Sequence, residues 1–110
     1  MAKREKEKIL LPVWDKDEKV NVRIPEIVVY TEKKFGEDEF RTNCNVYYVG
    51  DWLNSDIYSC VVVSGEWQFY KDAHFRVKLF TLSPGYYPDL VGMYPILNTV
   101  GISSYKCIKP

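Results

Sequence analysis

Histidine occurs once in this chain, at position 74, and cysteine three times. A lone imidazole in a polar stretch reads as a solvated loop residue, neither base nor ligand. Cys44, Cys60 and Cys107 are odd in number and show no C-x-x-C spacing. Neither a disulfide framework nor a zinc site is expected, and the three read as buried free thiols on strands. Net charge is also absent, because 15 Lys and Arg balance 15 Asp and Glu. Bulk charge therefore draws the chain to neither nucleic acid nor a membrane surface. The apolar run "ILLPVW" follows a charged start, "MAKREKEK", and is too short for a bilayer span or a signal peptide. The expectation is a cytoplasmic protein. No Gly-rich phosphate loop, HExxH or nucleophile elbow occurs, and the acids are scattered among lysines as on a solvated surface. An enzyme is not expected.

What is present points to β-structure. Apolar residues make up 46% of the chain, enough for a core, and nine tyrosines favour strands. Residues 1–25 show no sustained period and read as a partly flexible N-terminal extension. A short helix before Pro12 would be marginal alone, but Ile9, Leu10, Val13 and Trp14 are suited to packing on the domain. Residues 26–110 form that domain. "IVVY", "NVYYV" (45–49), "IYSCVVV" (57–63), "EWQFY" (66–70), "RVKLFTL" (76–82) and "GISSYKCI" (101–108) read as strands. Ser64-Gly65 is expected to close a tight hairpin, and "SPGYYPD" (83–89) to be a turn cluster.

Two stretches share one spacing. "YTEKKFGEDEF" (30–40) and "YKDAHFRVKLF" (70–80) align Tyr30 with Tyr70, Phe35 with Phe75 and Phe40 with Phe80. Each half then ends on a serine leading into a strand. The chain reads as a duplicated four-strand unit, too few copies for a solenoid or propeller. Two half-sandwiches would bury the repeated aromatics between them, so Phe35, Phe75 and Trp67 are expected in the core.

These residues resemble the βγ-crystallin superfamily over roughly 26–108. Each family motif opens with an aromatic, four residues, Phe or Tyr, then x-Gly, as from Tyr30 to Phe35 and from Tyr70 to Phe75. Ser64, Gly65, Trp67 and Tyr70 resemble the family's Ser-Gly-x-Trp-x-x-Tyr, and Leu82, Gly85, Tyr87 and Pro88 its Leu-x-x-Gly-x-Tyr-Pro. The resemblance implies an all-β sandwich of two Greek-key motifs. It also implies that Tyr87 forms a corner, bonding its side chain to backbone.

The resemblance further implies calcium loops of pattern N/D-N/D-x-x-S/T-S, completed by carbonyls of the hairpins at Thr31 and Lys71. In the first motif the pattern falls on Asn54, Ser55, Asp56, Ile57, Tyr58 and Ser59, and Tyr58 replaces the liganding hydroxyl. In the second it falls on Thr99, Val100, Gly101, Ile102, Ser103 and Ser104, and Val100 offers no side-chain oxygen. Calcium wants six to eight oxygens, so both loops are degenerate, with Asp56 placed to rescue the first. A second departure concerns glycine. The family's Gly after Phe-x falls on Glu37 and Val77. A β-branched residue is strained at positive φ, so Val77 is expected at negative φ in a rebuilt hairpin, and Val77→Gly is expected to destabilise.

The reading is a non-enzymatic structural or stress-protective protein, monomer or weak homodimer, without a nucleic-acid or membrane partner and with no cofactor required. The alternative is a calcium-binding module with an interaction role. A base-stacking platform of Tyr47, Tyr48, Tyr86 and Tyr87 is opposed by Asp51, Asp56 and Asp89.

Overall fold

The computed structural model describes residues 24–50 and 56–110. Its strands are β1 (Glu26–Tyr30), β2 (Glu39–Thr42), β3 (Ser59–Ser64), β4 (Glu66–Asp72), β5 (Arg76–Leu82), β6 (Gly85–Tyr87) and β7 (Ser104–Lys109). A single-turn helix α1 (Leu90–Met93) and a 3-10 turn (Pro95–Asn98) precede β7. Asp89 caps α1, its carboxylate accepting the Gly92 N–H at 3.0 Å. The strands form two antiparallel sheets in the orders β2-β1-β3-β6 and β5-β4-β7. No helix among the described residues is long and apolar enough to cross a membrane.

The all-β sandwich of two Greek keys is what the sequence predicts. Its halves are exchanged rather than stacked. β6, from the second half, pairs with β3 of the first, Val61 opposite Tyr86. In return Val46, from the first half, bridges to Tyr105 of β7, each N–H donating to the other's carbonyl. The exchange ties the two halves together by backbone hydrogen bonds.

Strand alternation explains the core. Ile27 and Val29 of β1 and Cys60 and Val62 of β3 face Trp67, Phe69, Phe80, Leu82 and Tyr105 of the other sheet. Phe69 stacks between Phe80 and Tyr105, at 5.0 and 5.5 Å between centroids. Trp67 is fully buried and donates its indole N–H to the Ser64 carbonyl at 2.9 Å. That bond meets the polar need that indole burial creates.

Several expectations are corrected. Ser64-Gly65 is not a hairpin turn, because β3 and β4 lie in different sheets. It is a crossover, and Gly65 takes φ 86° there, where an added Cβ would meet the Lys109 carbonyl at 3.1 Å. "NVYYV" forms no strand beyond the Val46 bridge. Asn45 Oδ1 accepts the Cys107 N–H on one side of that bridge. On the other, Ser103 N–H bonds the Tyr70 carbonyl and the Ser103 carbonyl accepts the Val49 N–H, so Tyr47 and Tyr48 leave the ladder and are exposed. "SPGYYPD" contains β6. Cys44 is exposed and Cys107 half-buried, so only Cys60 is a buried thiol, although all three are free.

Phe35 and Phe75 are half-buried, not between the sheets. Each stands edge-on over the tyrosine five residues before it, Tyr30–Phe35 at 5.6 Å and Tyr70–Phe75 at 5.7 Å. The hairpins fold back over the outer sheet faces, and the first pair closes a small cluster with Val28, Val61 and Val63 outside the main core. Only the third repeat members turn inward, Phe80 buried and Phe40 packed against the core.

The glycine question has a different answer in each half. Val77 is at φ 62°, in the left-handed region. The expected negative φ is therefore wrong, and the family's hairpin geometry is retained under strain. Glu37 is not in that region, whereas Lys34 and Phe35 are, at 57° and 58°. In that hairpin Glu32 folds against Gly36, and its carboxylate accepts the Glu37 N–H at 3.4 Å. The second hairpin places His74 and Phe75 at 61° and 59°. The duplication is thus written in the backbone angles as well as in the aromatics.

Candidate functional site

The site begins with two serines that end the loop patterns. Ser59 Oγ donates to the Glu32 carbonyl at 2.5 Å and accepts the Phe35 N–H at 3.0 Å. Ser104 Oγ donates to the Asp72 carbonyl at 2.7 Å and accepts the Phe75 N–H at 3.1 Å. Both serines are fully buried. A hydroxyl can donate once and accept twice, so one buried side chain satisfies both polar ends of a folded-back hairpin.

The preceding residues tie the halves together. Tyr58 N–H donates to the Tyr30 carbonyl and Ser103 N–H to the Tyr70 carbonyl, at 3.0 and 2.9 Å. The Tyr58 carbonyl accepts Leu90 N–H at 2.9 Å, and the Ser103 carbonyl accepts Val49 N–H at 2.8 Å. Leu90 belongs to the second half and Val49 to the first, so each loop bonds its own hairpin and the opposite half. Hairpin tips repeat this interlock, with Lys34 N–H on the Pro88 carbonyl and His74 N–H on the Tyr47 carbonyl. Tyr87 completes the frame, its hydroxyl donating to the Ser83 carbonyl at 2.6 Å, which is the corner that was expected. Gly85 opens β6, where an added Cβ would press on the Tyr87 ring.

Between the two loops lies a cleft of about 290 Å³. Asp56, Ile57 and Tyr58 line one side, and Leu97 to Ile102 the other. The structure therefore brings Asp56 and Gly101 together. Thr31 and Lys71 do not line this cleft; Thr31 starts the first hairpin, and Lys71 is exposed beside Asp72. Ser103 lies just past it, half-buried. Asn54 and Ser55 lie outside the described residues.

The donor set fits calcium poorly. Asp56 is the one carboxylate among the described lining residues. Thr99 Oγ1 already donates to the Ile96 carbonyl at 2.9 Å, Val100 is apolar and Gly101 has no side chain. No group of three or more His, Cys, Asp or Glu is arranged to hold a metal among the described residues. Calcium favours several carboxylates in an all-oxygen shell, and the second loop supplies none.

Electrostatics mark tyrosines rather than a reactive group. Burial, aided by the Glu39 carboxylate, pushes Tyr30 up to about 12. Burial also raises Tyr105, whose hydroxyl has no partner among the described residues, and Tyr87 and Tyr70. The Cys60 thiol is raised by burial, so it is a poor nucleophile. In a structural loop the serines are expected to cap turns or bond the backbone, and Ser59 and Ser104, the last position of the pattern in each motif, do bond it; which hairpin groups they clamp was not legible in the sequence.

Comparison with known proteins follows this geometry. Residues 26–108 match the family model described as Beta/Gamma crystallin. A βγ-crystallin from an archaeon is 32% identical, with a TM-score of 0.69, covering 78% of this chain and 100% of its own. A beta gamma crystallin from Ciona intestinalis is 25% identical, with a TM-score of 0.63, covering 74% of this chain and 98% of its own. A transition-metal-ion-binding βγ-crystallin from Methanosaeta thermophila is 24% identical, with a TM-score of 0.62 and the same two coverages, 74% and 98%. None of the curated proteins matches the chain.

Proposed function

Because this chain belongs to the beta/gamma crystallin family, we propose that it is a non-enzymatic structural module whose calcium-type loops serve as internal ties. The observation that carries this reading is the pair of buried serine clamps. Ser59 and Ser104 keep the hairpins folded from within the protein, through four hydrogen bonds that need no ion. The interlocking carbonyls of Tyr58 and Ser103 are likewise engaged by protein donors. A stress-protective role is the finer part of this proposal, and the exchanged sandwich held by buried bonds supports it.

Calcium titration tests the reading. A ligand at 100 times its Kd stabilises by about 2.7 kcal/mol. In a domain of this size that raises Tm by about 10 °C or more. The expected result is a shift of under about 2 °C between millimolar calcium and chelator. A chelator-reversible rise of about 10 °C overturns it.

One observation favours a second reading, a metal-binding module with an interaction role. Asp56 faces the interloop cleft, as a rescuing ligand would. The Methanosaeta relative, which binds transition metal ions, supports testing those ions as well. Under this reading Asp56→Ala abolishes the metal-dependent rise in Tm.

A further inference from the structure

The two exchanged edges are not equally complete. On the first sheet β6 pairs with β3 over three residues, Cys60 with Tyr87, Val61 with Tyr86 and Val62 with Gly85. On the second, the matching pairing against β7 is the bridge of Val46 with Tyr105. The serine clamps fix how the halves correspond. Ser59 matches Ser104, so Cys60 matches Tyr105 and Val62 matches Cys107. Val46 then matches Tyr87, and Cys44 matches Gly85. The counterpart of the Val62–Gly85 pair is therefore Cys107 opposite Cys44. Two of the three cysteines fall on one pair of facing positions.

Both ladder bonds of this pair are replaced by side-chain bonds. Val46 and Tyr105 exchange their two backbone hydrogen bonds. Two residues farther along, Cys44 and Cys107 would exchange theirs in a continued antiparallel ladder. Instead the Cys107 N–H donates to Asn45 Oδ1 and the Cys44 N–H to Thr42 Oγ1, each at 3.0 Å. Such a pair in a continued ladder stands about 5.5 Å apart between Cα atoms, within the range that a disulfide spans. The side chains suit the roles. Cys107 is half-buried and packs against the inter-sheet core, to which Val62 belongs. Cys44 is exposed, its thiol on Asn43 Oδ1, and so is open to a reagent from solvent. Extension of residues 44–46 as a strand turns Cys44 to the face that Val46 already occupies.

We propose that Cys44 and Cys107 are a reversible disulfide site, oxidised by a small organic disulfide. The Cys44 thiolate attacks one sulfur of that disulfide, forming a mixed disulfide and expelling one small thiolate. The Cys107 thiolate then attacks the Cys44 sulfur, closing the bridge and expelling the second. The protein gives up two electrons and two thiol protons, and the small disulfide leaves as two thiols. Closure extends the Val46 bridge into a strand over 44–46, the counterpart of β6, and completes the edge of β7. Cys60, fully buried in the core, takes no part.

The test treats the full, reduced chain at low concentration with an aromatic disulfide reagent under native conditions. The expected result is release of two equivalents of coloured thiol, from a protein left monomeric, free of adduct and lighter by two hydrogen atoms. Peptide mapping should find Cys44 joined to Cys107. Cys107→Ser should release one equivalent and keep the adduct on Cys44. The bridged form should melt at least about 5 °C above the reduced form, because a link between distant residues restricts the unfolded chain. Amide exchange at Cys44 and Cys107 should slow several-fold, and reduction should reverse both changes. A stable adduct on Cys44 of the unmodified chain, a disulfide-linked dimer, a bridge that includes Cys60, or closure only in denaturant would each overturn the site. A bridge that leaves Tm and exchange unchanged would overturn the strand extension. If Cys107→Ser fails to fold, the mass and mapping of the unmodified chain decide alone.

Discussion

At the scale of single residues, Val77 is the most informative position. It sits at φ 62° with a β-branched side chain, 54% exposed. Left-handed geometry costs such a residue about 1–3 kcal/mol. Glycine removes that strain, but its freer unfolded chain takes back about 0.5–1 kcal/mol. Little packing is lost from a side chain that is half in water. Val77→Gly is therefore expected to stabilise by about 1 kcal/mol in urea denaturation, reversing the sign that the sequence suggests. Destabilisation would mean that the hairpin holds Val77 by contacts worth more than its strain. The cysteines divide by exposure. Cys44 should react with an aromatic disulfide reagent at once, Cys107 more slowly and Cys60 only on unfolding, because burial both hides it and raises its thiol. Prompt labelling of Cys60 would contradict its place in the core.

At the scale of elements, the hairpins depend on their clamps. Ser104→Ala leaves the Phe75 N–H and the Asp72 carbonyl without their buried partner. Each orphaned group costs about 1–3 kcal/mol, so the expected loss is at least about 2 kcal/mol, with faster hydrogen exchange at Phe75. An unchanged Phe75 exchange rate would remove Ser104 from this role. Phe75→Ala should cost about 2 kcal/mol, less than the 3–5 typical of a core phenylalanine, because the ring is only half-buried over Tyr70. These elements were only partly legible. The Tyr-x4-Phe spacing marks the hairpins, but not the face they cover. A hairpin that continues into the core and one that folds back over the outside carry the same aromatics.

At the scale of the whole molecule, alkaline pH is the natural probe. Tyr30, Tyr70, Tyr87 and Tyr105 are all raised by burial. Their neutral forms are favoured in the folded state relative to the unfolded one. The stability this contributes is fully present below about pH 10, the ordinary tyrosine value. It is lost as pH rises through the folded values, with Tyr30 at about 12. Melting temperature should hold level to about pH 9.5 and fall steeply between about pH 10 and 12, with phenolate absorbance rising in the same window. Phenolate absorbance that reaches the full value for all nine tyrosines while circular dichroism stays native would show that these hydroxyls reach water in the folded protein. Sheet exchange adds a second expectation at this scale. β6 and Val46 each pair with the opposite half, so unfolding should be one transition.

The amino-acid order by itself determined the strands of strongest pattern, the duplication and the free thiols, and the family resemblance implied the Tyr87 corner. The first three rest on local chemistry: β-branched runs such as "SCVVVS", a repeated spacing and cysteine arithmetic. Only the tertiary structure decided the rest. Ser64-Gly65 is as good a hairpin as it is a crossover until the sheets have partners. "NVYYV" looks like a strand, but Ser103 N–H bonds the Tyr70 carbonyl, and the ladder does not continue past Val46 toward Tyr47. The loop serines match an ion-binding pattern and a clamp equally well, until the hairpin carbonyls arrive within bonding distance. Val77 was read from its intrinsic preference, which the closing of a hairpin between paired strands overrides. Pairing and closure are long-range, and their energies exceed the local preferences from which a sequence is read.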